Sequence, residues 1–265
     1  MSSPLIPPEG TAVSPAENRL LLLGTGTCQI EAERTTSAVL VEQDDLRLVY
    51  DFGRGTAGRL AGLGLRQDDV EHVVLSHFHP DHISDLIPYL HGAAWSQIDP
   101  RRKDLHVYGP IGLTVQMMRL LSLFGPDTLE RLDRYRVHLH EIRGDELVLT
   151  GRDGGEHRFA FGDLPPASNR GLKWTHNGKT YALTGDSDFH EKEVEFLQGV
   201  DLAVIDAGHP SDDEIVELAI RTQADQLICS HLYRPLDAAE LQVQAARQGY
   251  KGRLQVGHDL MSFLI

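Results

Sequence analysis

An α/β fold is predicted by three features of this 265-residue sequence. Short apolar runs of strand length recur along the chain. Segments with apolar residues at i, i+3 and i+4 lie between several of them. Four of the runs stop abruptly at a carboxylate or a histidine: Val70–Leu75 before Ser76-His77, Thr180–Leu183 before Asp186, Asp201–Ile205 before Asp206 and His209, and Gln226–Cys229 before His231. Ligands of open α/β sheets bind at the carboxyl ends of strands, so four such endings point to one composite site.

Residues 1–17 are rich in Ser, Pro and Gly, lack periodicity and read as a loose lead-in; residues 18–265 read as one domain. Arg19–Leu23 is an apolar run that breaks at Gly24-Thr25-Gly26-Thr27. Neither a helical pattern nor a P-loop lysine follows, which excludes a nucleotide-binding fingerprint, so the turn is expected to let backbone approach the site closely. Thr35–Val41 and Leu46–Tyr50 read as a hairpin turning at Gln43-Asp44-Asp45. Asp51 then ends the second strand, either as a partner for a ligating histidine or as a cap. A short helix is expected over 54–64. From His82 the apolar spacing Ile83, Leu86, Ile87, Leu90 is helical. Leu105–Tyr108 is a strand, and Leu113, Met117, Leu120, Leu121 and Phe124 form a helical stripe. Tyr135–His140 alternates, with His138 and His140 expected to face water. Asp212–Thr222 and Asp237–Gln248 are helices, and Leu254–Val256 closes the chain as a short strand before His258-Asp259.

The chemistry concentrates in Val73-Val74-Leu75-Ser76-His77-Phe78-His79-Pro80-Asp81-His82. A buried-strand profile ends in three histidines and an aspartate within six positions. Neutral imidazoles and carboxylates are the donors that a borderline divalent ion such as zinc selects. Pro80 fixes φ and removes one N–H, favouring a non-helical turn in which neighbouring side chains converge.

Composition narrows the partners. The formal charge of −14, from 25 basic and 39 acidic residues, repels polyanions and disfavours nucleic acid. Two widely separated cysteines, Cys28 and Cys229, argue against a disulfide framework and suit a reducing compartment. No apolar run reaches membrane-spanning length and no basic-then-apolar leader is present, so a cytoplasmic location without membrane attachment is expected.

The His-x-His-x-Asp-His motif after a strand resembles the metallo-β-lactamase superfamily. With Leu23-Gly24-Thr25-Gly26, Asp51-Phe52-Gly53, Tyr108-Gly109-Pro110 and Thr184-Gly185-Asp186-Ser187, the chain is similar to its tRNase Z and phosphodiesterase branch over roughly residues 19–265. The resemblance implies an αββα sandwich of two mixed β-sheets flanked by helices. It implies two divalent ions, zinc first and manganese or iron as alternatives. His77 and His79 would hold one ion, Asp81, His82 and His231 the other, and Asp186 would bridge them. A water activated by the metal would attack, with Asp81 in the reacting centre and His209 as proton donor to the leaving alkoxide.

Two departures from the family pattern stand out. The further histidine ligand expected near Pro165 is absent; Asp163, His157 or His176 are the candidates to replace it, and the first ion site could be weakened or empty. The long arm with which tRNase Z clamps tRNA is not apparent between Tyr108 and Trp174, which with the acidic charge argues against tRNA 3′ processing. Arg170, Lys173 and Arg234 are candidates to hold a phosphate. The expected activity is therefore hydrolysis of a small phosphodiester or cyclic phosphate. The alternatives are hydrolysis of a carboxylic ester, lactone or thioester, or a degenerate metal- or ligand-binding protein. The apolar segments Leu86–Trp95 and Leu113–Phe124 could contribute to a homodimer.

Overall fold

Two seven-stranded sheets stack face to face, with helices on both outer surfaces. The computed structural model describes residues 18–125, 131–166 and 168–265, so the expected lead-in over residues 1–17 lies outside the described residues. In chain order the elements are β1 (Arg19–Gly24), β2 (Ala38–Gln43), β3 (Leu46–Tyr50), α1 (Thr56–Gly62), β4 (His72–Val74), α2 (Pro80–Ile83), α3 (Leu86–Trp95), β5 (Leu105–Gly109), α4 (Leu113–Phe124), β6 (Val137–Glu141), β7 (Glu146–Thr150), β8 (Glu156–Leu164), β9 (Asn169–His176), β10 (Lys179–Leu183), α5 (Glu191–Leu197), β11 (Leu202–Asp206), α6 (Asp212–Thr222), β12 (Gln226–Ser230), α7 (Ala238–Arg247), β13 (Arg253–Val256) and β14 (Ser262–Leu264).

The first sheet runs β14-β1-β2-β3-β4-β5-β6 and the second β13-β12-β11-β10-β9-β8-β7. The strands β3 to β6 are mutually parallel, as are β10 to β13. Helices cover the outer face of each sheet and the opposite sheet covers the inner one, which explains the nearly continuous apolar runs of the parallel strands. Leu20, Leu22, Val41, Leu48, Tyr50, Phe159, Leu172 and Trp174 fill the space between the sheets. Residues of alternate parity, such as Leu21, Leu40 and Val73, pack outward against α1, α3 and α4; Ala203, Ile205 and Leu227 pack against α5, α6 and α7. This is the expected αββα sandwich. Among the described residues no helix is long and apolar enough to cross a membrane.

Three differences from the sequence reading have physical causes. The helical spacing from Ile83 to Leu90 is divided between α2 and α3. Asp85 marks the division: its Oδ2 accepts from the N–H groups of Gly55 and Ala57 and so binds the start of α1. The strands β7 and β8 were not anticipated, although the buried His157, Phe159 and Phe161 alternate with the exposed Glu156, Arg158 and Ala160, because β7 is largely exposed and has only weak patterning. His138 and His140 face water only in part, the His138 side chain remaining 38% exposed. Val137 and Leu139 pack on the helix side of β6, so both histidines turn towards the opposite sheet and stack with His106 at ring separations of 4.7 and 5.3 Å.

Glu193 on α5 is only 1% exposed. Ser187 Oγ donates to its Oε1, and its Oε2 has no partner. Burial, aided by Asp206 and Asp188 and opposed by Ser187, pushes its pKa up to about 8 from 4.5. The folded state therefore keeps a proton that the unfolded chain releases near pH 4.5, and folding stability falls as pH rises from there through about 8. In urea unfolding at pH 5 and pH 8.5, Glu193→Gln should flatten this decline. The variant should gain up to about 4 kcal/mol relative to wild type at the higher pH, at about 1.4 kcal/mol per pH unit.

Candidate metal centre

The centre sits where the parallel strands of both sheets end. Asp51 follows β3, Ser76 to His82 follow β4, Asp186 follows β10, Asp206 ends β11 with His209 just beyond it, and His231 follows β12. Two of these positions require unusual backbone: Asp51 has φ 60° and His231 φ 55°. Non-glycine residues hold such angles only where the surroundings enforce them. Gly185, at φ 67°, has a second reason to be glycine. A Cβ there would lie 2.5 Å from Asn169 Oδ1 and 2.8 Å from Ser76 Cβ, so only glycine lets the Asp186 loop press against the histidine loop.

Asp51 is fully buried and organises the histidine loop. Its Oδ1 accepts from Ser76 N at 2.7 Å, and its Oδ2 accepts from Ser76 Oγ at 2.9 Å and lies 2.7 Å from His82 Nδ1. A carboxylate accepts, so His82 carries its proton on Nδ1 and turns Nε2 inward. Ser76 Oγ also lies 2.9 Å from His77 Nδ1. Thus one carboxylate sets the orientation of two imidazoles.

The inward atoms fall into groups. His77, His79 and Asp186 form one; Asp81, His82 and His231 form a second; Asp186, Asp206, His209 and His231 form a third. In each group the candidate ligand atoms lie within 4.8 Å of one another. Asp186 joins the groups, with Oδ2 3.6 Å from His77 Nε2 and Oδ1 2.8 Å from His82 Nε2 and 3.3 Å from His231 Nε2. His231 Nε2 also lies 3.3 Å from Asp81 Oδ2. Yet His77 Nε2, His82 Nε2 and Asp186 Oδ1 are buried and make no aligned hydrogen bond. Buried polar atoms are seldom left without partners, and a bound ion is one partner that such a cluster accepts. These donors fit a divalent cation in number, type and burial.

The electrostatics agree. Burial and the neighbouring His82 push the pKa of His77 down to about 4, leaving a neutral donor. Burial opposes charge on His82 and His231, but Asp51 and Asp186 around the first, and Asp206 and Asp81 around the second, outweigh it; His82 rises well above the ordinary histidine value and His231 to about 9. Asp186, despite burial, is held below the usual carboxylate range by His82, His231 and His77. His209 is held above its ordinary value by Asp206, whose Oδ2 is 2.5 Å from its Nδ1. Asp206 is itself fixed by the N–H groups of Ser187, Gly208 and His209. The other nitrogen of His209, Nε2, is left on the half-buried side of the ring, away from Asp206.

The structure therefore gathers His77, His79, Asp81, His82, Asp186, His209 and His231, the residues expected from the sequence, in one place. It does not gather the proposed replacements for the missing histidine. Asp163 is largely exposed and pairs with Arg170 at 3.0 Å. His157 contacts Asp45 and Gln43, and His176 contacts Asn18 and Asn177; both are engaged away from the centre. At the expected position, Pro165 offers only its carbonyl, which accepts from Asp188 N at 3.0 Å. Of the expected phosphate contacts, Lys173 donates to Phe196 O and Gln198 O on the helix face of β9, and Arg234 donates to the carbonyls of Ala207, Gly208 and Pro210 and to Asp212. Neither group is free to hold a substrate. Arg170 lies near the histidine loop, its backbone N–H donating to Ser76 O, with its side chain turned to Asp163. The turn at Thr25 reaches the site as anticipated: Leu232 N donates to Thr25 O, next to His231. Tyr233 was overlooked. It sets its ring edge-on to His209 and His231, at 5.6 and 5.3 Å, beside a cavity of about 420 Å³ lined in part by Gln29, Arg34 and Leu236. Its position two residues after His231 was the available signal.

The family model described as "Metallo-beta-lactamase superfamily" matches residues 32–231. A protein called Ribonuclease Z from Mycobacterium sp. (strain KMS) is 26% identical over 269 residues, covering 90% of this chain and 93% of its own. Among solved structures, the metallo-beta-lactamase fold protein YhfI from Bacillus subtilis superposes with a TM-score of 0.72 at 19% identity, covering 92% of this chain and 98% of that one. A diphosphatase of the PhnP family superposes with a TM-score of 0.65 at 16% identity, covering 93% and 97%.

Removing the carboxylate of Asp51 should loosen His77 and His82 together. Competition with a chelator should find the metal bound about 10- to 100-fold more weakly in Asp51→Asn than in wild type, with the fold retained by circular dichroism.

Proposed function

Since the chain belongs to the metallo-β-lactamase superfamily, we propose that it is a metal-dependent phosphodiesterase acting on a small phosphodiester or cyclic phosphate. The observation that carries this reading is the pairing of the His77–His79–Asp186 group with the Asp81–His82–His231 group, which Asp186 Oδ1 approaches at His82 and His231, together with a histidine, His209, held by Asp206 at their margin. Divalent ions held by these groups would supply charge neutralisation and an activated water near neutral pH.

The chain's own residues have distinct tasks. Asp186 belongs to the first group, reaches His82 and His231 of the second and would fix their separation, while Asp51 and Ser76 would keep the imidazoles aimed. Asp206 accepts at His209 Nδ1 and favours the protonated ring, which leaves Nε2–H to donate to a departing alkoxide. A poor leaving group needs that proton, as a nucleotide or sugar alkoxide does; an activated phenolate does not. Tyr233 packs on the His209 ring and would limit its swing. The acidic charge favours a small diester over a long polyanion. RNA is the second reading, favoured by the relative named Ribonuclease Z, which matches across most of both chains.

The first ligand group has two imidazoles and the shared carboxylate, without a third imidazole. The two ions should therefore bind unequally. In a chelator titration followed by atomic emission, one ion should leave at least tenfold more readily, and His79→Ala should abolish that weaker site alone.

Hydrolysis of bis(p-nitrophenyl) phosphate by metal-reconstituted protein tests the activity, with His79→Ala as control. Metal-dependent turnover lost in the variant is expected; absence of turnover in protein that holds two ions per chain would overturn the reading. His209→Ala should lower kcat by about 10²- to 10⁴-fold on an alkyl phosphodiester but by less than tenfold on the nitrophenyl ester. Equal losses on both substrates would exclude His209 as the proton donor.

A further inference from the structure

A second set of histidines lies between the sheets, away from the centre. His72, His106 and His138 occupy one row across the adjacent strands β4, β5 and β6, and Tyr108 and His140 occupy the next row. All point towards the opposite sheet, where neighbouring positions such as Val74 and Tyr50 are apolar core. His77 lies five positions after His72, so the two sets stand on the order of 15 Å apart at about 3.3 Å per strand residue. His72 is buried, and His106, His138 and His140 are partly exposed at the sheet edge; a row of imidazoles on the inner face of a sandwich is not what packing alone selects, because each ring brings a polar nitrogen in need of a partner.

The rings are held close. His106 and His138 stack at 4.7 Å, Tyr108 and His140 at 4.6 Å, and His72 and His106 at 5.5 Å. His106 Nδ1 lies 3.1 Å from His140 Nε2. His72 Nε2 lies 3.1 Å from Thr150 O on β7, and a carbonyl only accepts, so Nε2 carries the proton. That leaves His72 Nδ1 as a bare lone pair, and it is buried without a partner. His138 Nε2 is 2.8 Å from Asp104 Oδ2, the carboxylate–histidine arrangement that orients an imidazole for ligation by its other nitrogen. The cluster borders a cleft of about 300 Å³ lined by His72, His106, Tyr108, Asp104, Glu71 and Thr150, among others. Lys103, also at this cleft, is paired with Glu71 at 3.0 Å.

The geometry points to a second cation site, in which His106 Nδ1 and His140 Nε2 chelate a late first-row divalent ion such as Zn²⁺ or Ni²⁺, with solvent completing the coordination at this partly exposed edge. The 3.1 Å separation of the two nitrogens suits two bonds of about 2.0–2.1 Å to one ion. The proton now shared between these rings moves to the outer nitrogen of His106, so the ion enters without net loss of a proton. Burial, reinforced by the neighbouring imidazoles, holds His106 at about 4 and keeps His72 and His140 below the ordinary value, so the rings are neutral donors at pH 7. Neutral imidazoles prefer such ions to Mg²⁺ or Ca²⁺, and they offer an anion no charge. An ion there would bridge β5 and β6 at the edge where β7 closes over the first sheet. The inference is independent of the proposed hydrolytic activity.

Zinc uptake by chelator-treated full-length protein tests it, read by calorimetry and atomic emission. His106→Gln/His140→Gln should bind one ion fewer per chain than wild type, with hydrolysis of bis(p-nitrophenyl) phosphate unchanged to within twofold. A second measurement needs no variant: in long-range ¹H–¹⁵N spectra of wild type, the His106 and His140 ring signals should shift with the extra equivalent of Zn²⁺ and not with Mg²⁺. Equal zinc stoichiometry in a folded variant, or ring signals that do not move with zinc, would overturn the assignment.

Discussion

Burying four carboxylates together is the constraint on which the centre depends. Asp51, Asp81, Asp186 and Asp206 are each at most 7% exposed, and their strands converge from both sheets. Isolated buried carboxylates are strongly unfavourable, so this arrangement persists only if positive charge or hydrogen-bond donors meet every oxygen. Asp51 and Asp206 are met by backbone N–H groups, hydroxyls and imidazoles of the chain itself. Asp81 is met by a hydrogen bond with His231 Nε2, whereas Asp186 Oδ1 is met by imidazole nitrogens that approach without hydrogen-bond alignment, the mismatch expected of a ligand rather than a structural acid.

The sandwich supplies what this arrangement needs. Parallel strands deliver their carboxyl ends to one edge, and the site residues stand at those ends or on the loops that follow. Asp51 and His231 adopt left-handed backbone there, and Gly185 admits the neighbouring loop at a distance no side chain would allow. Such departures are tolerated because large apolar clusters lie behind them, between the sheets and under each helical layer. The same logic explains Glu193: the fold tolerates a buried acid near the Asp186 loop by keeping it protonated, and so makes stability depend on pH.

How much of this was legible depended on whether a residue's task was local. The His77 to His82 motif announces itself, because convergence there is a property of six consecutive positions. Asp186, Asp206 and His231 were readable as strand endings, since a polar residue that stops an apolar run is a local signal. The role of Asp51 was only half legible: its position at a strand end could be read, whereas its contact with His82 depends on the pairing of β3 with β4. Lys173 and Arg234 misled for the converse reason. Charge near a site in sequence says nothing of the carbonyls that fold back to occupy it, those of α5 for Lys173 and of the His209 loop for Arg234. The alternation of His138 and His140 was seen, but facing water was only part of the outcome, since both also stack with His106 on the inner side of the sheet. Period two fixes that alternate residues share a face, and only the helix packed on Val137 and Leu139 decides which face is which.

The two histidine sets show how surroundings, rather than residue type, set what an imidazole can do. At the carboxyl edge, His82, His209 and His231 stand against aspartates and are biased towards holding a proton, so an entering metal must displace protons there. Between the sheets, His72, His106 and His140 stand against one another, where each added charge would repel the next, and they stay neutral. Electroneutrality then separates the two regions. The first combines fixed negative charge with mobile protons, as hydrolysis with proton transfer requires. The second offers lone pairs with little charge, which suits holding an ion and not activating a reaction.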